Sequence, residues 1–280
     1  IETVAIYSSA DKDSLHVLLA NESVCVGAAP PSESYLKMDN IIEAALGTGC
    51  DAVHPGFGFL SENPAFAALC EENGIKFIGP SSNVIEQMGN KSAARELMMK
   101  AGVPTVPGSD GAVTDIETAK SIAEKIGFPI LIKASAGGGG RGMRRANSLE
   151  DIERAFDEAR AEARAAFGDN TVYIEKLILS PKHIEVQVLS DSYGKTIHLG
   201  ERNCSIQRKN QKMLEEAPAF AFDQELRDRM CEAAVKAAEA CNYEGAGTVE
   251  FVLDSENNFY FIEMNTRIQV ERPVTEMVTG

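Results

Sequence analysis

The sequence of 280 residues holds no apolar run approaching the ~20 residues that a membrane-spanning helix needs. Its opening, Ile1-Glu-Thr-Val-Ala-Ile6, lacks the basic-then-apolar layout of a secretory signal. Basic residues are scarce: 27 Lys and Arg stand against 42 Asp and Glu, a net charge of −15. That balance argues against a nucleic-acid partner or an acidic membrane surface, so any anion site has to be built from a few local basic residues. The six cysteines (Cys25, Cys50, Cys70, Cys204, Cys231 and Cys241) are dispersed without a Cys-x-x-Cys pair. They read as reduced thiols of a cytosol-like compartment, the cytoplasm or, in a eukaryote, an organelle matrix. Also absent are an internal repeat, a low-complexity linker and the Gly-Lys-Ser/Thr of a Walker loop. What remains, with 44% apolar residues, is a globular chain with material for one large domain or two to three lobes. It opens without Met inside a strand-like run and stops at Gly280, just after Pro273-Val-Thr-Glu-Met-Val278 begins a helical pattern. It is therefore expected to be cut at both ends.

Residues 1–88 alternate short apolar strands (Val4–Tyr7, Ala52–His54, Phe77–Ile78) with helical stretches (Ile41–Leu46, Pro64–Glu72), the pattern of a parallel α/β unit. Ligands gather at the carboxyl ends of such strands, where His54-Pro-Gly-Phe-Gly-Phe-Leu-Ser-Glu-Asn63 forms a glycine-bearing loop. The loop reads equally well as a tight turn and as a place where substrate approaches backbone. A helix from Ser92 to Lys100 follows, closed by Gly102 and Pro104. Lys91 in its first turn opposes the helix dipole, which makes it a candidate for serving an anion. Thr114-x-x-Glu117 and Ser148-x-x-Asp151 resemble capping boxes for helices at 115–126 and 149–166.

Between those two helices, Phe128-Pro-Ile-Leu-Ile-Lys133 is an apolar strand that delivers a lysine to its end, ahead of Gly137 to Gly140, Arg141 and Gly142. Glycines permit positive φ and turn backbone amides toward an anion, so this stretch suits a polyphosphate. Gly137, Gly139 and Gly142 match G-x-G-x-x-G only formally, because the next helix starts near Leu149 and no helix N-terminus meets the loop. A flexible phosphate lid is the reading that remains. Thr171 to Ile178 is then a strand passing into a connector of the kind whose backbone bonds an adenine edge. His183-Ile-Glu185-Val-Gln187 alternates, with its polar residues on one face, and turns through Asp191-Ser-Tyr-Gly194 into a partner strand at Lys195–Leu199. The loop from Glu201 to Lys212 gathers Arg202, Arg208, Lys209 and Lys212, a local basic exception that suits anions. An amphipathic helix at Gln224–Cys241 reads as structural.

The most informative stretch closes the chain. Thr248–Leu253 and Phe259–Met264 flank the polar turn Asp254-Ser-Glu-Asn-Asn258, the pattern of a hairpin. A turn centred on Glu256-Asn257 sets Glu250 opposite Glu263. A turn centred on Asn257-Asn258 sets Glu250 opposite Asn265, and either register keeps both glutamates on one face. Like charges so close require a cation, and Mg2+ held by one or two carboxylates plus substrate phosphates is the common arrangement. The same period-two count, continued past Asn265, exposes Arg267, Gln269 and Glu271 together.

A lysine before a glycine-rich lid, a hinge strand, and a hairpin with paired glutamates followed by Met264-Asn-x-Arg267 together resemble the ATP-grasp ligases. The likeness narrows to biotin carboxylase through Ser8-Ser-Ala-Asp11, the loop 54–63, Lys133 to Met143, Glu215-Glu-Ala-Pro218 and Phe261-Ile-Glu-Met-Asn-Thr-Arg-Ile-Gln-Val-Glu271. That family is the ATP-dependent component of acetyl-CoA, propionyl-CoA and pyruvate carboxylases. The resemblance covers essentially the whole chain. It implies an α/β and α+β protein: an incomplete parallel α/β domain at 1–88 ahead of an ATP-grasp domain at 89–280, with a mobile lid subdomain at 105–177. By the same resemblance Lys91, Lys133, Gly139, Gly140 and His183 contact ATP phosphates or ribose, with Gln207 in the same cofactor-binding set. Glu175, Lys176, Leu177 and Ile178 line the adenine pocket, and Glu250, Glu263 and Asn265 hold Mg2+ or Mn2+. Lys212, Arg267, Gln269, Val270 and Glu271 surround bicarbonate. Of these, Lys212, Arg267 and Glu271 are catalytic, Glu271 as the base and Arg267 as the positioning charge. Biotin is the implied carboxyl acceptor, carried on a biotin carboxyl carrier protein, with a carboxyltransferase component and a homodimer at full length. Acetyl-CoA carboxylase and fatty acid biosynthesis are the implied setting.

Two positions depart from the family pattern, Arg272 and Asn210, where histidine is usual. A cation at Arg272 beside Glu271 is expected to lower that carboxylate's pKa and weaken it as a base. The family's first strand and glycine-containing turn precede Ile1, and the arginine that holds the biotin ureido oxygen lies beyond Gly280. Two other readings stay open: an ATP-grasp ligase of the carbamoyl-phosphate-synthetase or amino-acid-ligating type, and a nucleotide-binding fragment without turnover.

Overall fold

The computed structural model describes residues 1–135, 142–208, 211–220 and 222–280, apart from the side chain of Phe167. Three separate apolar cores organise them. The first belongs to β1 (Val4–Ser8), α1 (Leu15–Leu19), β2 (Glu22–Gly27), α2 (Met38–Gly47), β3 (Ala52–Val53), α3 (Pro64–Glu72), β4 (Lys76–Phe77) and α4 (Ser82–Gly89). β1 pairs in parallel with β2, and β3 with β4, so the expected parallel pattern is present as two small sheets. Ile41, Ile42 and Ala45 of α2 meet Phe66, Ala67 and Cys70 of α3 on one face each, over Leu60, Ile75 and Phe77. α3 starts where Asn63 Oδ1 accepts the Phe66 N–H at 3.0 Å, which fixes the end of the 54–63 loop.

α5 (Lys91–Lys100) follows, its first amides taken by Asn90. A second core lies under α6 (Ile116–Ile126), β5 (Ile130–Ala134), β6 (Met143–Ala146), α7 (Leu149–Phe167) and β7 (Val172–Lys176). The strands form an antiparallel sheet in the order β6-β5-β7. Ile130 and Ile132 face inward with Val172 and Ile174, packed by Ala119, Ala123, Ile152, Phe156 and Ala159 from the two helices. The expected caps need correction. Asp115, not Thr114, caps α6, accepting the Thr118 N–H at 2.8 Å. Ser148 does sit at the α7 N-cap, but with no side-chain capping bond among the described residues. Asp151 instead accepts the Asn147 N–H at 3.0 Å.

The third core is the largest. β8 (Lys182–Ser190), β9 (Thr196–Arg208), β10 (Gln211–Glu216), β11 (Gly245–Leu253) and β12 (Phe259–Asn265) make an antiparallel sheet in the order β10-β9-β8-β11-β12. α8 (Gln224–Ala240) covers one face, where Leu226, Met230, Ala233, Ala234, Ala237 and Ala238 pack on Ile184, Val186, Val188, Val249 and Phe251. Side chains alternate along strands, so His183, Glu185, Gln187, Thr248 and Glu250 fall on the opposite face. The stretch read as a basic loop from Glu201 to Lys212 is largely paired strand, β9 running into β10, which brings Lys212 onto the sheet.

The hairpin register is Glu250↔Glu263, the first of the two expected alternatives. Nearer the turn the pairing becomes Phe251↔Phe261, because a bulge passes over Ile262. Asp254 Oδ1 closes the turn by accepting the amides of Glu256 at 2.8 Å and Asn258 at 2.9 Å. The expected alternation past Asn265 does not hold. The strand ends there and the chain is irregular up to α9 (Arg272–Thr279), leaving Gln269 2% exposed and Val270 60% exposed. Among the described residues no helix is long and apolar enough to cross a membrane.

Candidate active site

Lys212, on the edge strand β10, reaches across the polar face and meets three carboxylates. Its Nζ bonds Glu185, lies 2.7 Å from Glu250 Oε1 and 3.5 Å from Glu271 Oε1. Glu250 also accepts from His183 Nε2 at 2.6 Å and Asn265 Nδ2 at 2.6 Å. Burial alone raises the pKa of Glu250, but the His183 bond and the charge of Lys212 outweigh it and hold the carboxylate well below its usual range. For Lys212, burial works to lower the pKa, and Glu250 and Glu185 outweigh it in the opposite direction. Lys212 and Glu250 thus each favour the charged form of the other.

The rest of the hairpin face continues this pattern. Glu263 is bonded by Lys91 Nζ at 2.6 Å, so the lysine at the start of α5 serves an anion that is a side chain of the protein. Arg267 donates Nε to Glu62 Oε2 at 2.8 Å and Nη2 to Asn265 Oδ1 at 3.2 Å, while the Thr266 amide bonds Glu62 Oε1 at 3.2 Å. Glu62 comes from the 54–63 loop. The loop thus anchors the arginine, a role that neither of its two sequence readings included. Arg272 follows Glu271 at the first position of α9. Its Nε lies 2.9 Å from Glu276, one turn along α9, so its charge is directed there.

Beneath Lys212 lies Arg202, fully buried, which sequence reasoning had placed only in a basic loop. It donates to Glu185 Oε1 at 2.6 Å, Gln187 Oε1 at 2.9 Å, Thr275 Oγ1 at 2.8 Å and Gln269 Oε1 at 2.8 Å. One guanidinium thus orients both the carboxylate under Lys212 and the expected bicarbonate residue Gln269. Glu215 Oε2 stands 3.5 Å from Arg202 Nε, buried and without a hydrogen-bond partner among the described residues. Burial first, then the negative charges of Glu185 and Glu271, push the Glu215 carboxyl up to about 7. The only sequence signal for this buried network was the His183-x-Glu185-x-Gln187 alternation, since an exposed polar face and a buried charged one share the same period.

On the second sheet, Lys133 projects from β5 to bond Glu175 of β7, and lies 5.8 Å from the Tyr173 ring. Lys176 Nζ donates to Phe128 O at 2.6 Å. The Lys176 amide is taken by Pro107 O and the Leu177 amide by Pro129 O, so an adenine edge at this connector has to use other groups there. Leu177 and Ile178 are half-buried. Gln207 pairs opposite Lys212 at the strand edge and donates to Cys204 O at 3.0 Å. Gly139, Gly140, Arg141 and Asn210 lie outside the described residues.

The residues present fit a hard divalent cation. Glu250, Glu263 and Asn265 offer oxygen donors from one face of the hairpin, the donor chemistry of Mg2+ or Mn2+. Both carboxylates are now matched by lysines, Lys212 and Lys91. A tighter donor group is His183, Glu185 and Glu250, whose candidate atoms lie within 4.8 Å of one another. Its Glu185 is paired with Arg202 and Lys212, just as Glu250 and Glu263 are paired with Lys212 and Lys91, so in either set a cation takes the place of a protein charge.

Comparison with known proteins gives the same answer along the whole chain. Residues 1–85 match the family model "Biotin carboxylase, N-terminal domain", and residues 90–280 match "Carbamoyl-phosphate synthase L chain, ATP binding domain". A biotin carboxylase of Nostoc sp. is 58% identical over 280 residues, covering 100% of this chain and 63% of that protein. The structure of a biotin carboxylase complex from Campylobacter jejuni superposes with a TM-score of 0.93 at 53% identity, over 99% of this chain and 62% of that one. The biotin carboxylase domain of Hydrogenobacter thermophilus 2-oxoglutarate carboxylase, solved as a dimer with MgADP, ADP and bicarbonate, gives a TM-score of 0.90 at 54% identity, over 99% of this chain and 61% of that one. The chain spans between 40% and 63% of the length of the curated relatives it matches. With its sheets, its charged face and its relatives in agreement, the chain belongs to the biotin carboxylase family and carries the ATP-grasp fold.

Proposed function

We propose that this chain performs the ATP- and bicarbonate-handling part of biotin carboxylation, the first half-reaction of a biotin-dependent carboxylase such as acetyl-CoA carboxylase. The observation that carries the reading is Lys212 set among Glu185, Glu250 and Glu271, with Arg267 held by Glu62 at the end of the same hairpin. Bicarbonate is a poor nucleophile, and this arrangement supplies what it lacks. Arg267 and Lys212 are the cations for the anion's oxygens, and Glu271, steadied by Lys212, is the carboxylate that takes its proton. Gln269 is held in place by Arg202, which donates to its side-chain carbonyl. Attack of a bicarbonate oxygen on the γ-phosphate expels ADP and gives carboxyphosphate, whose breakdown supplies CO2 and a phosphate able to take the proton of the biotin ureido nitrogen. Lys91 and Lys133 release their carboxylates to the incoming phosphates, His183 and Gln207 complete the nucleotide contacts, and 175–178 face the adenine. Glu250, Glu263 and Asn265 hold Mg2+ or Mn2+, which when bound neutralises charge on the transferring phosphoryl group.

The proposed division is residues 1–88 and 89–280, with a lid at 105–177 closing over the nucleotide to exclude water. The proposed partners are a biotin carboxyl carrier protein, a carboxyltransferase and a second copy in the full-length protein. The setting is the cytoplasm or an organelle matrix, and the pathway fatty acid synthesis. The deciding measurement is bicarbonate-dependent ATP cleavage with and without free biotin, using oxygen-labelled bicarbonate. Label is expected in the released phosphate, and its absence in the full-length enzyme sinks the carboxyphosphate route. A requirement for ammonia with indifference to biotin points instead to the carbamoyl-phosphate-synthetase type, the other name carried by the match over 90–280.

A further inference from the structure

Residues 104–109 carry the chain from the five-stranded sheet to the three-stranded one. At its start Pro104 O accepts the Phe261 amide of β12 at 2.7 Å. At its end Ser109 donates to Ile174 O, and Lys176 to Pro107 O, both at 2.8 Å across to β7. Arg95 of α5 grips this crossing: Nη2 donates to Val106 O at 2.6 Å and Nη1 to Ser109 O at 3.0 Å. Arg95 is 7% exposed, and its Nε has no hydrogen-bond partner among the described residues. That Nε lies 3.8 Å from Glu175 Oε1, while the other oxygen of Glu175 is held by Lys133. A buried carboxylate therefore stands between two cations, bonded to one and just out of reach of the other. A cavity of about 190 Å³, lined by Ser92, Arg95, Ser109 and Tyr173 among others, opens beside them.

We propose that Glu175 is a latch that exchanges Lys133 for Arg95 when nucleotide phosphates enter, making Arg95 a positioning residue that ties nucleotide binding to the seating of β7 against α5. The inference rests on the reading of Lys133 as a phosphate ligand. Phosphate oxygens draw Lys133 away, and a buried carboxylate left without a partner is strongly unfavourable. Arg95 Nε is the donor in place to receive it, and a shift of about 1 Å brings the pair to charge-assisted hydrogen-bond length. The exchange satisfies two buried groups at once. Because Arg95 also holds Val106 and Ser109, tightening its bond to Glu175 draws the crossing segment and β7 together onto α5.

The test is a double-mutant cycle on Mg-ATP binding by the 280-residue chain, measured by calorimetry and paired with amide hydrogen exchange. Arg95→Lys keeps the charge and can still reach the two carbonyls, but lacks the Nε donor. It is expected to weaken Mg-ATP binding about tenfold, within the usual range of coupling between sites. In a Glu175→Gln background the same substitution is expected to change binding less than about twofold. Mg-ATP is expected to slow exchange at 104–109 and 172–176 in the unsubstituted chain, and Glu175→Gln, compared at saturating Mg-ATP whatever its own affinity, is expected to abolish that slowing. Equal losses from Arg95→Lys in both backgrounds mean a purely structural arginine and overturn the latch. So does protection that survives Glu175→Gln, a result that stands even if the Arg95 variant fails to fold. If the unsubstituted chain binds no Mg-ATP, the functional reading itself falls and takes the latch with it.

Discussion

Arg202 has no solvent contact, yet it is bonded to Glu185, Gln187, Gln269 and Thr275, which belong to three different stretches of chain. Replacing it by methionine leaves Glu185 and Glu215 as buried charges with one cation fewer. A loss of about 3–5 kcal/mol is expected, seen in thermal denaturation as a midpoint lowered by roughly 10 °C. Glu215 makes a different prediction. Its folded pKa of about 7 lies above the ordinary value of 4.5, so the folded state holds the proton more tightly than the unfolded one. Stability from this group is therefore complete below pH 4.5 and is lost as pH rises from there through about 7. Glu215→Gln, which cannot ionise, is expected to flatten the pH dependence of the urea midpoint across that window. For Arg272, paired with Glu276, the expectation from sequence reverses. Arg272→His should leave the pH–rate profile of bicarbonate-dependent turnover unshifted and remove only an exposed helix pair of about 0.3–0.5 kcal/mol. A profile displaced toward higher pH rejects this.

At the level of elements, legibility followed periodicity and local capping. α3 carries Asn63 and Pro64 at its start and a buried stripe of Phe66, Ala67 and Cys70, so its limits were readable residue by residue. The hairpin was readable for the same reason, its register narrowed by turn chemistry to two choices. The first part of β9, pairing with β8 from Thr196 on, was readable too, but its continuation to Arg208 and β10 were not, because Arg202 and Lys212 lie against an interior polar layer that no local pattern announces. β2 and β6 are short, and each pairs with the strand before it, β1 and β5, without a strong strand pattern of its own. Site residues divided in the same way. Glu250, Glu263 and Asn265 share a face that a count of two reveals, whereas Glu62, Arg95 and Arg202 reach the site only through tertiary packing. Gly108 tests one such packing feature: a Cβ there would lie 2.2 Å from Ile174 O. Gly108→Ala is expected to prise the crossing segment from β7, raising amide exchange at Ser109 and weakening nucleotide binding, with the hairpin unaffected.

As a whole molecule, the protein has three cores whose polar surfaces converge on one cluster of charges. A ligand that binds the folded form alone stabilises it by mass action, by about 2.7 kcal/mol at a hundredfold excess over its Kd. Mg-ATP is thus expected to raise the thermal midpoint, and ATP with a chelator to raise it much less, since Glu250 and Glu263 then face the phosphates without a cation between them. Equal shifts with and without chelator contradict the metal assignment. The net charge of −15 makes the same point from outside: an anionic substrate depends on local cations such as Lys91, Lys133, Lys212 and Arg267.

The Glu62–Arg267 pair joins residues 205 apart in sequence, and Lys91–Glu263 joins residues 172 apart. Loops that long close late, after contacts within each core have offset part of the entropy of ordering. The charged face is therefore the last thing to be assembled on the folding path. On the ribosome, a chain halted before the hairpin emerges lacks Glu263 and Arg267 and so holds neither of these pairs.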